Sequence, residues 1–494
     1  MAVPLLPETL NKRYGQIFMK TIFKSIASII ASVCISSSIF SGSHELKDIT
    51  TQLYGADPWI QNDDDLLNLD KIILNAQVVG LGENTHGTRE YFQMKHRILK
   101  YLVQNKGFNI FAIEAPMPNA YRLNDYVLYG KGDPKYLIKN IGYDWVWSTQ
   151  EILDMVEWMR EYNQTVKNKI QFVGFDLPLK PEVSARIVYD DLVKMGKNLE
   201  AEKVNQIVVD SVLLKNKYME WIAVLFELMM KSDEIDSQLG KRLEELRKKH
   251  LPKEIYEKQV AELRAQRDVE IKILEDQYNP QLKAIQNDAQ KEALILDERT
   301  QEIMKIIEQN GEHEWTLQNL RLLQELFDYY GLIVERDKSM ADNALWILNR
   351  NPGSKLVLWG HSWHLRHSHE KNMGRFLSDS LGNKYRTFAF LTYEGKYRAR
   401  NGYNNDPVEE FEMQTPPEDA FEFMLSQFEV PALLIDFSDK QNVPEFLQKE
   451  VLIRCPIGAG AIPKEMQFAC PKYDIVHYFD GMIYLKTTSG TVPF

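Results

Sequence analysis

The sequence predicts an α/β fold with a central, largely parallel sheet, flanking helices and a helical lobe that contains a long antiparallel helical hairpin. Two observations lead to this prediction. Short apolar, β-branched segments alternate with helical segments in both outer parts of the chain, as in βα units. Residues 181–330 between those parts contain no strand-like segment and are rich in charged residues at helical spacing.

The composition of the 494-residue chain is that of a globular protein, with 44% hydrophobic and 26% charged residues. Lys and Arg number 59 against 70 Asp and Glu, which gives a formal net charge of -11. No basic segment interleaved with aromatic residues is present in the sequence. We therefore expect no nucleic-acid partner.

Residues 1–45 are predicted to be a leader that contains a signal peptide. Lys20 and Lys24 precede the apolar run Ile26–Phe40, and small residues follow it. The run is shorter than the ~20 apolar residues of a membrane span. We expect an exported protein, periplasmic or secreted, whose mature chain begins between about Ser38 and His44. A short membrane anchor and an ordinary buried helix are the alternatives.

Residues 46–180 are predicted to form the first part of the α/β core. Apolar, β-branched runs bounded by turn residues predict strands, and amphipathic stretches between them predict helices. The predicted strands are Ala76–Glu83, Phe108–Pro116 and Ile170–Pro178, and the predicted helices are Thr88–Gln104 and Thr149–Tyr162.

Residues 181–330 are predicted to form a helical insertion. Residues 253–278 and 279–309 are two charged helical segments, and the sequence predicts that they form a hairpin joined at Asn279–Pro280. Arms of about 26 to 30 residues would reach roughly 40 Å. Such a hairpin could cap a site or form a homodimer contact, or it could be an insertion with only a structural role.

Residues 331–494 are predicted to complete the α/β core. The predicted elements are a helix at Asp337–Asn349 and strands at Ser354–Ser362, Tyr385–Tyr393 and Pro431–Phe437. Cys455 and Cys470 flank a short loop rich in Gly and Pro. They are either a disulfide, which export would favour, or two free thiols. Neither has the neighbouring cation or His that would make a thiol catalytic.

Acidic and imidazole side chains stand at the ends of four predicted strands. These are Glu83, Glu114, Asp176 and His361, with His86 just after the first and His364 just after the last. The carboxyl ends of parallel strands share one edge of a sheet, so these residues can meet in one cleft. Each alone could be a helix cap or a structural residue, but together they form a cluster suited to general acid–base catalysis.

Other catalytic signatures are missing from the sequence. "GLGENTHG" does not have the spacing of a dinucleotide fingerprint, and no Walker-type loop occurs. No G-x-S-x-G elbow follows a strand, which argues against a serine triad. We expect no nucleotide and no other cofactor.

A set of ordered motifs carries a family resemblance. "GENTHGTREYFQMKHRILKYLV", "IEAP", "LNDYVLYGKGDP", "TQEILDMVEWMREYN", "VGFDLP" and "GHSWHL" together resemble the erythromycin esterase family. The similarity extends from about Thr51 to Phe479. It implies a metal-independent carboxylic ester hydrolase, macrolide esterase-like, with a central sheet, a helical lobe and a cleft between them.

The resemblance also implies catalytic roles. His86 would be the general base for water, Glu83 and Glu114 its acidic companions, and His361 the second imidazole. The developing oxyanion would be stabilised by His361 or Lys95.

Four further residues are predicted to bind the substrate, namely Lys95, Asp176, His364 and Trp363. Lys95 stands where macrolide-active members have an Arg, and Ser362 and Trp363 follow His361 where an Asn is common. These departures bear on the substrate more than on the hydrolytic chemistry, so the ester or lactone that is cleaved stays open.

Two other functions use the same residues or the same fold. The His and carboxylate cluster could hold Zn²⁺ or Mn²⁺ in a metal-dependent hydrolase. An exported protein that binds haem or another ligand is the alternative from a different class.

Overall fold

The computed structural model describes residues 45–494 except residues 179, 250, 312 and 402–406. The predicted leader and its cleavage region lie outside these residues. The described chain divides into two compact units. The sheet unit contains residues 45–178 and 335–494, and the helical unit contains residues 180–334.

Within the described residues, the sheet unit is built on nine strands. They are β1 (Thr50–Leu53), β2 (Val78–Glu83), β3 (Ile110–Pro116), β4 (Gln171–Asp176), β5 (Leu356–His361), β6 (Tyr385–Arg400), β7 (Val408–Glu412), β8 (Ala432–Asp436) and β9 (Gly481–Thr488). Their order is β1-β8-β9-β6-β2-β5-β3-β4, and β7 pairs with β6.

The sheet is parallel from β9 through β6, β2, β5 and β3 to β4, and antiparallel where β8 joins β1 and β9 and where β7 joins β6. All residues of β2 and β5 are buried. Strands covered on both faces have nearly continuous apolar sequences, and this made them visible in the sequence. The predicted, largely parallel sheet is confirmed.

Helices and short helical turns connect these strands. They are α1 (Leu69–Ile73), α2 (Arg89–Lys106), α3 (Met117–Tyr129), α4 (Pro134–Lys139), α5 (Asp144–Trp147), α6 (Gln150–Thr165), α11 (Arg336–Arg350), α12 (Ser362–Leu365), α13 (Met373–Leu381), α14 (Phe421–Ser426) and α15 (Ile475–Tyr478). The three helices predicted in this unit correspond to α2, α6 and α11.

The sheet unit also contains a disulfide. Cys455 and Cys470 are bonded, with their Cα atoms 5.6 Å apart. Of the two alternatives that the sequence leaves open, the structure has the bonded one.

The helical unit contains α7 (Pro181–Lys194), α8 (Asn198–Lys248), α9 (Lys253–Glu308) and α10 (Glu314–Tyr330). The long helices α8 and α9 form the antiparallel hairpin. Ion pairs show the direction, because Asp210 pairs with Arg299 and Asp236 with Arg267, so the partner on α9 moves back as α8 advances. No helix within the described ranges is both long and apolar enough to span a bilayer.

The predicted position of the hairpin turn is wrong. The chain does not turn at Asn279–Pro280, since Pro280 lies inside the continuous helix α9, and the turn falls between α8 and α9. Proline removes one backbone hydrogen bond and costs about 3 kcal/mol in a helix interior. Packing of Leu228 on α8 against Tyr278 and Leu282 on α9, on either side of the proline, offsets that cost.

We expect Pro280→Ala to raise the free energy of unfolding of the helical unit by about 1–3 kcal/mol, because it restores the missing N–H and removes the ring. Pro280 is exposed, so the substitution opens no cavity. Calorimetry would measure the thermal transition. The neighbouring exposed Gln281→Ala is the control and should change the midpoint little. An unchanged or lower midpoint for Pro280→Ala would contradict the reading of α9 as a strained continuous helix.

Candidate active site

The predicted cluster lies along one edge of the sheet. Strands β2, β5, β3 and β4 are consecutive and parallel, so their carboxyl ends lie side by side. Glu83 and His361 end neighbouring strands in register. Asp176 ends β4, and Glu114 lies near the end of β3. The structure thus brings together Glu83, Glu114, Asp176 and His361.

The Glu83 carboxylate contacts an imidazole with one oxygen and a buried ammonium group with the other. Its Oε1 lies 2.9 Å from His86 Nδ1, and its Oε2 accepts a hydrogen bond from Lys95. Glu83 and Lys95 are fully buried, whereas the His86 side chain is 14% exposed. A carboxylate can only accept, so Nδ1 of His86 carries the proton and Nε2 is left to accept one.

The charge states of this pair follow from its surroundings. Burial by itself raises the pKa of Glu83, but Lys95 and His86 outweigh it and lower that pKa below its usual value. Burial lowers the pKa of Lys95 to about 8, although Glu83 acts in the opposite direction. The Lys95 ammonium also lies 4.7 Å from the centroid of the Trp359 ring and 5.3 Å from that of Phe390. Near neutral pH, Glu83 and Lys95 therefore form a buried ion pair whose ammonium group also contacts two aromatic rings.

Glu114 is the centre of a second charged group. Its carboxylate accepts hydrogen bonds from the Arg336 guanidinium at 3.0 Å and from the His361 backbone N–H at 2.9 Å. Burial favours the neutral acid, but the positive charges of His364 and Arg336 lower the pKa of Glu114 well below its usual range. Glu114 therefore stays ionised.

Asp176 is fully buried and held by two residues that the sequence analysis missed. Arg336 donates to it from Nε at 2.9 Å and from Nη2 at 2.6 Å, and the Tyr143 hydroxyl donates at 2.9 Å. Tyr143 has a φ of 49°, a left-handed conformation that is uncommon outside glycine. The signal that could have revealed Arg336 was charge balance, because three buried acids at strand ends need more cations than Lys95.

His361 is a neutral imidazole. Its Nδ1 accepts the backbone N–H of Trp363 at 3.2 Å, so its Nε2 carries the proton and donates to the Asn84 carbonyl at 3.2 Å. Burial, together with the neighbouring imidazoles of His86 and His364, lowers the pKa of His361 to about 3. Its ring centroid lies 5.3 Å from that of His86.

His364 has the opposite electrostatic character. Its Nδ1 lies 2.8 Å from Asp337 Oδ1, and its Nε2 lies 3.6 Å from Glu114 Oε1. Burial lowers the pKa of His364, but Glu114 and Asp337 outweigh that effect and raise it above the usual value. At this edge of the sheet, burial thus favours the neutral ring of His361, and two carboxylates favour the protonated ring of His364.

Two glycines are needed because neighbouring groups approach their backbone closely. A Cβ on Gly360 would lie 3.0 Å from Glu114 Oε2, and one on Gly87 would lie 1.9 Å from the Arg398 carbonyl oxygen. Neither has a positive φ. The missing side chain of Gly360 leaves room for the Glu114 carboxylate beside β5, and that of Gly87 lets β6 pack against the turn that contains His86.

Two of the four predicted substrate-binding residues are buried and bonded to other side chains. Lys95 and Asp176 have no exposed surface and are bonded to Glu83 and to Arg336 and Tyr143. Trp363 is 41% exposed, and its ring centroid lies 3.7 Å from the Arg366 guanidinium carbon. His364 alone both faces the cluster and has exposed surface.

The donor set fits acid–base chemistry better than metal binding. Within the described part of the chain, no three His, Cys, Asp or Glu side chains are grouped so that they could hold a metal ion. The carboxylates of Glu83, Glu114 and Asp176 face cations. The arrangement therefore offers three different imidazoles. His86 is oriented by a carboxylate, His361 is neutral, and the protonated ring of His364 is favoured by its acidic neighbours.

The chain was compared with protein families, with individual proteins and with solved structures. The family model described as erythromycin esterase matches residues 103–488. The chain is 24% identical to erythromycin esterase type II of Escherichia coli over 454 residues, covering 87% of this chain and 93% of that one. Two solved structures share its fold. One, a succinoglycan biosynthesis protein, has a TM-score of 0.64 and 21% identity, over 93% of this chain and 100% of that chain. The other, an erythromycin esterase mutant in its open conformation, has a TM-score of 0.54 and 15% identity, over 89% and 97%.

We expect Arg336→Met to lower the free energy of unfolding by about 3–5 kcal/mol, because it leaves the buried carboxylates of Asp176 and Glu114 without their cation. Urea unfolding measures the loss. Adding Asp176→Asn to this variant should recover part of it, since the buried charge is removed. Arg375→Met is the matched control, because Arg375 forms an exposed ion pair with Asp379 that should contribute about 1 kcal/mol or less. Equal losses for Arg336→Met and the control would show that the buried pairs do not stabilise the site.

Proposed function

The chain belongs to the erythromycin esterase family, and from this premise we propose that it is a carboxylic ester hydrolase in which His86 activates water without a metal. The observation that carries the proposal is the 2.9 Å contact between His86 Nδ1 and Glu83. It leaves Nε2 of the partly exposed His86 ring available as a base.

The proposed reaction has two steps. His86 Nε2 takes a proton from water as the water oxygen bonds to the ester carbonyl carbon, and a tetrahedral oxyanion forms. The oxyanion then collapses, the bond to the alcohol oxygen breaks, and the proton on His86 passes to that oxygen. The products are a carboxylic acid and an alcohol, joined in one molecule if the substrate is a lactone. Glu83 stabilises the imidazolium between the two steps.

We assign the stabilisation of the oxyanion to the two imidazoles of the GHSWH segment. His364 is partly exposed, and its contacts with Asp337 and Glu114 favour the protonated ring. His361 offers a neutral Nε2–H that now donates to Asn84. Lys95 is not assigned this role, because its ammonium group is fully buried behind Glu83. Its part is to keep Glu83 ionised and in place, a role that acts through Glu83 and not on the substrate.

The proposed substrate is a small-molecule ester or macrolactone, and the name of the Escherichia coli relative makes macrolides the first class to test. Trp363, exposed beside Arg366, offers a flat apolar face two residues from His361 on which a large ring or a sugar could pack. A panel of macrolides and simple esters, followed by mass spectrometry, tests this function. Addition of one water to a substrate supports the proposal, and no addition across the panel would overturn it.

We also propose that the protein is exported. The disulfide between Cys455 and Cys470 supports this, because such bonds persist in oxidising compartments.

We expect His86→Ala to lower kcat by at least about a hundredfold with little change in thermal stability, because the base is lost from a loop position that opens no core cavity. Glu83→Gln should impair the same step, since a neutral amide supports the imidazolium poorly. Rates and melting temperatures should be taken on the same preparations, with His477→Ala, an exposed imidazole, as the control. A stable His86→Ala protein with undiminished turnover would remove His86 from the mechanism.

The charge on Lys95 should appear in the pH profile. Above the pKa of about 8, Lys95 loses its proton and Glu83 loses its cationic partner, so kcat/KM should fall as the pH rises through that value. Lys95→Arg keeps its charge at every accessible pH. Its profile, recorded between about pH 6 and pH 10, should therefore lack this alkaline limb. An identical limb in both proteins would assign the titration to another group.

A further inference from the structure

The segment between Cys455 and Cys470 forms part of the wall of the candidate active site. Its sequence, "CPIGAGAIPKEMQFAC", contains small residues between the two cysteines and no His, Asp or Arg. The backbone of Gly458 runs beside the turn that holds His86, in a parallel bridge with Thr85. A Cβ on Gly458 would lie 3.9 Å from His361 Nε2.

Backbone hydrogen bonds connect this segment to the catalytic turn. The N–H groups of Ile457 and Gly458 donate to the Asn84 carbonyl at 2.9 and 3.0 Å. In return, the Gly458 carbonyl accepts the His86 N–H at 3.1 Å. Asn84, two residues before the base, and the base itself are therefore held by the same two residues of the loop.

The same carbonyl also orients the second imidazole. The Asn84 oxygen that accepts from Ile457 and Gly458 accepts from His361 Nε2 at 3.2 Å. A displacement of the loop would therefore reach both His86 and His361. On its other side the loop is bonded to β6, through Arg400 N–H to the Ala459 carbonyl at 3.0 Å and Ala461 N–H to the Arg400 carbonyl at 2.8 Å.

The tip of the loop contributes few side chains of its own. Gly458, Ala459, Gly460 and Ala461 follow each other, and Gly458 has a φ of 65°. Glycine loses more conformational entropy on ordering than other residues, so an ordered path here depends on constraints at the two ends. The disulfide is the covalent constraint of this kind.

The base of the loop has a second anchor that does not involve the disulfide. The backbone N–H of Arg454 donates to the buried Glu422 carboxylate at 2.8 Å, and its guanidinium donates to Gln467 Oε1 at 2.6 Å. The Cys455 N–H also donates to the Gln467 carbonyl at 2.7 Å. These bonds do not depend on the disulfide, so opening it should leave the fold in place while removing the covalent constraint on the loop.

We propose that the Cys455–Cys470 disulfide is a positioning element of the active site. It keeps the backbone groups of Ile457 and Gly458 hydrogen-bonded to Asn84 and His86. In this way it fixes the positions of the His86 and His361 rings. This inference rests on the proposed function, because the imidazoles matter only if the site hydrolyses its substrate. It makes turnover sensitive to the redox state of the protein, in addition to any effect of the disulfide on stability.

The test uses the folded, full-length protein and a dithiol reagent. The disulfide takes up two electrons and two protons and becomes two thiols, while the reagent closes to its own disulfide. Cys455 is buried but Cys470 is half-buried, which gives the reagent one sulfur to attack. The only other cysteine in the sequence is Cys34, so a Cys34→Ser background assigns any effect to this pair.

We expect reduction to lower kcat about tenfold with a smaller change in KM, because misplaced catalytic groups slow the chemical step more than binding. Reoxidation should restore the rate. The variant Cys455→Ser with Cys470→Ser should be slow from the start and insensitive to the dithiol. If that variant does not fold, the reduced wild type, checked by circular dichroism, supplies the comparison. Equal kcat in the oxidised and reduced proteins would overturn the proposal.

Hydrogen exchange separates this proposal from the proposed function. Reduction should speed exchange in peptides that contain the N–H groups of His86, Ile457 and Gly458, while exchange in β2 and β5 should stay slow. If the oxidised protein cleaves no ester, the proposed function fails, and the exchange data still test the positioning. If exchange at the turn is unchanged on reduction, the positioning proposal fails even when the protein is an active esterase.

Discussion

The candidate site depends on the neutralisation of buried carboxylates by cations at one edge of a parallel sheet. Glu83 and Asp176 have no exposed surface, and Glu114 has almost none. An uncompensated carboxylate in such a position costs several kcal/mol, so the fold must bring a cation to each acid. Lys95 does so for Glu83, and Arg336 does so for Glu114 and Asp176. Since α2 and α11 carry these cations, the packing of both helices on the sheet is fixed by the charges of the site as well as by apolar contacts.

The same charges determine what each imidazole can do. His86 faces a carboxylate that Lys95 keeps ionised, so its proton stays on Nδ1 and Nε2 is a base. His361 is buried where the nearest partners are backbone groups, which favours the neutral ring and lowers its pKa to about 3. His364 lies between Glu114 and Asp337, and these acids raise its pKa and favour the protonated ring. Three chemically identical side chains thus acquire different roles from differences in burial and partners.

The sequence was informative wherever a local pattern encoded the structure. Glu83, Glu114, Asp176 and His361 were found because each ends an apolar, β-branched run, and parallel strands bring such ends together. Arg336 and Tyr143 could not be found this way, because no local pattern links a helix start or a strained turn to acids more than thirty residues away. The edge strand β7 was missed because its exposed residues are mostly charged. The hairpin turn was misplaced because a proline predicts a break locally, whereas long-range packing keeps α9 continuous.

The position of Arg336 also explains how the site tolerates the interruption of its sheet by residues 180–334. The chain leaves the sheet unit just after Asp176, and it returns just before Arg336. These two residues are joined by a bidentate hydrogen bond with distances of 2.9 and 2.6 Å, and so the points of exit and return are held together within the sheet unit itself. Closing a loop between fixed ends costs free energy that rises only slowly with its length. Helices α7 to α10 could therefore differ in length or sequence without moving the acids and imidazoles, as long as this one ion pair is kept.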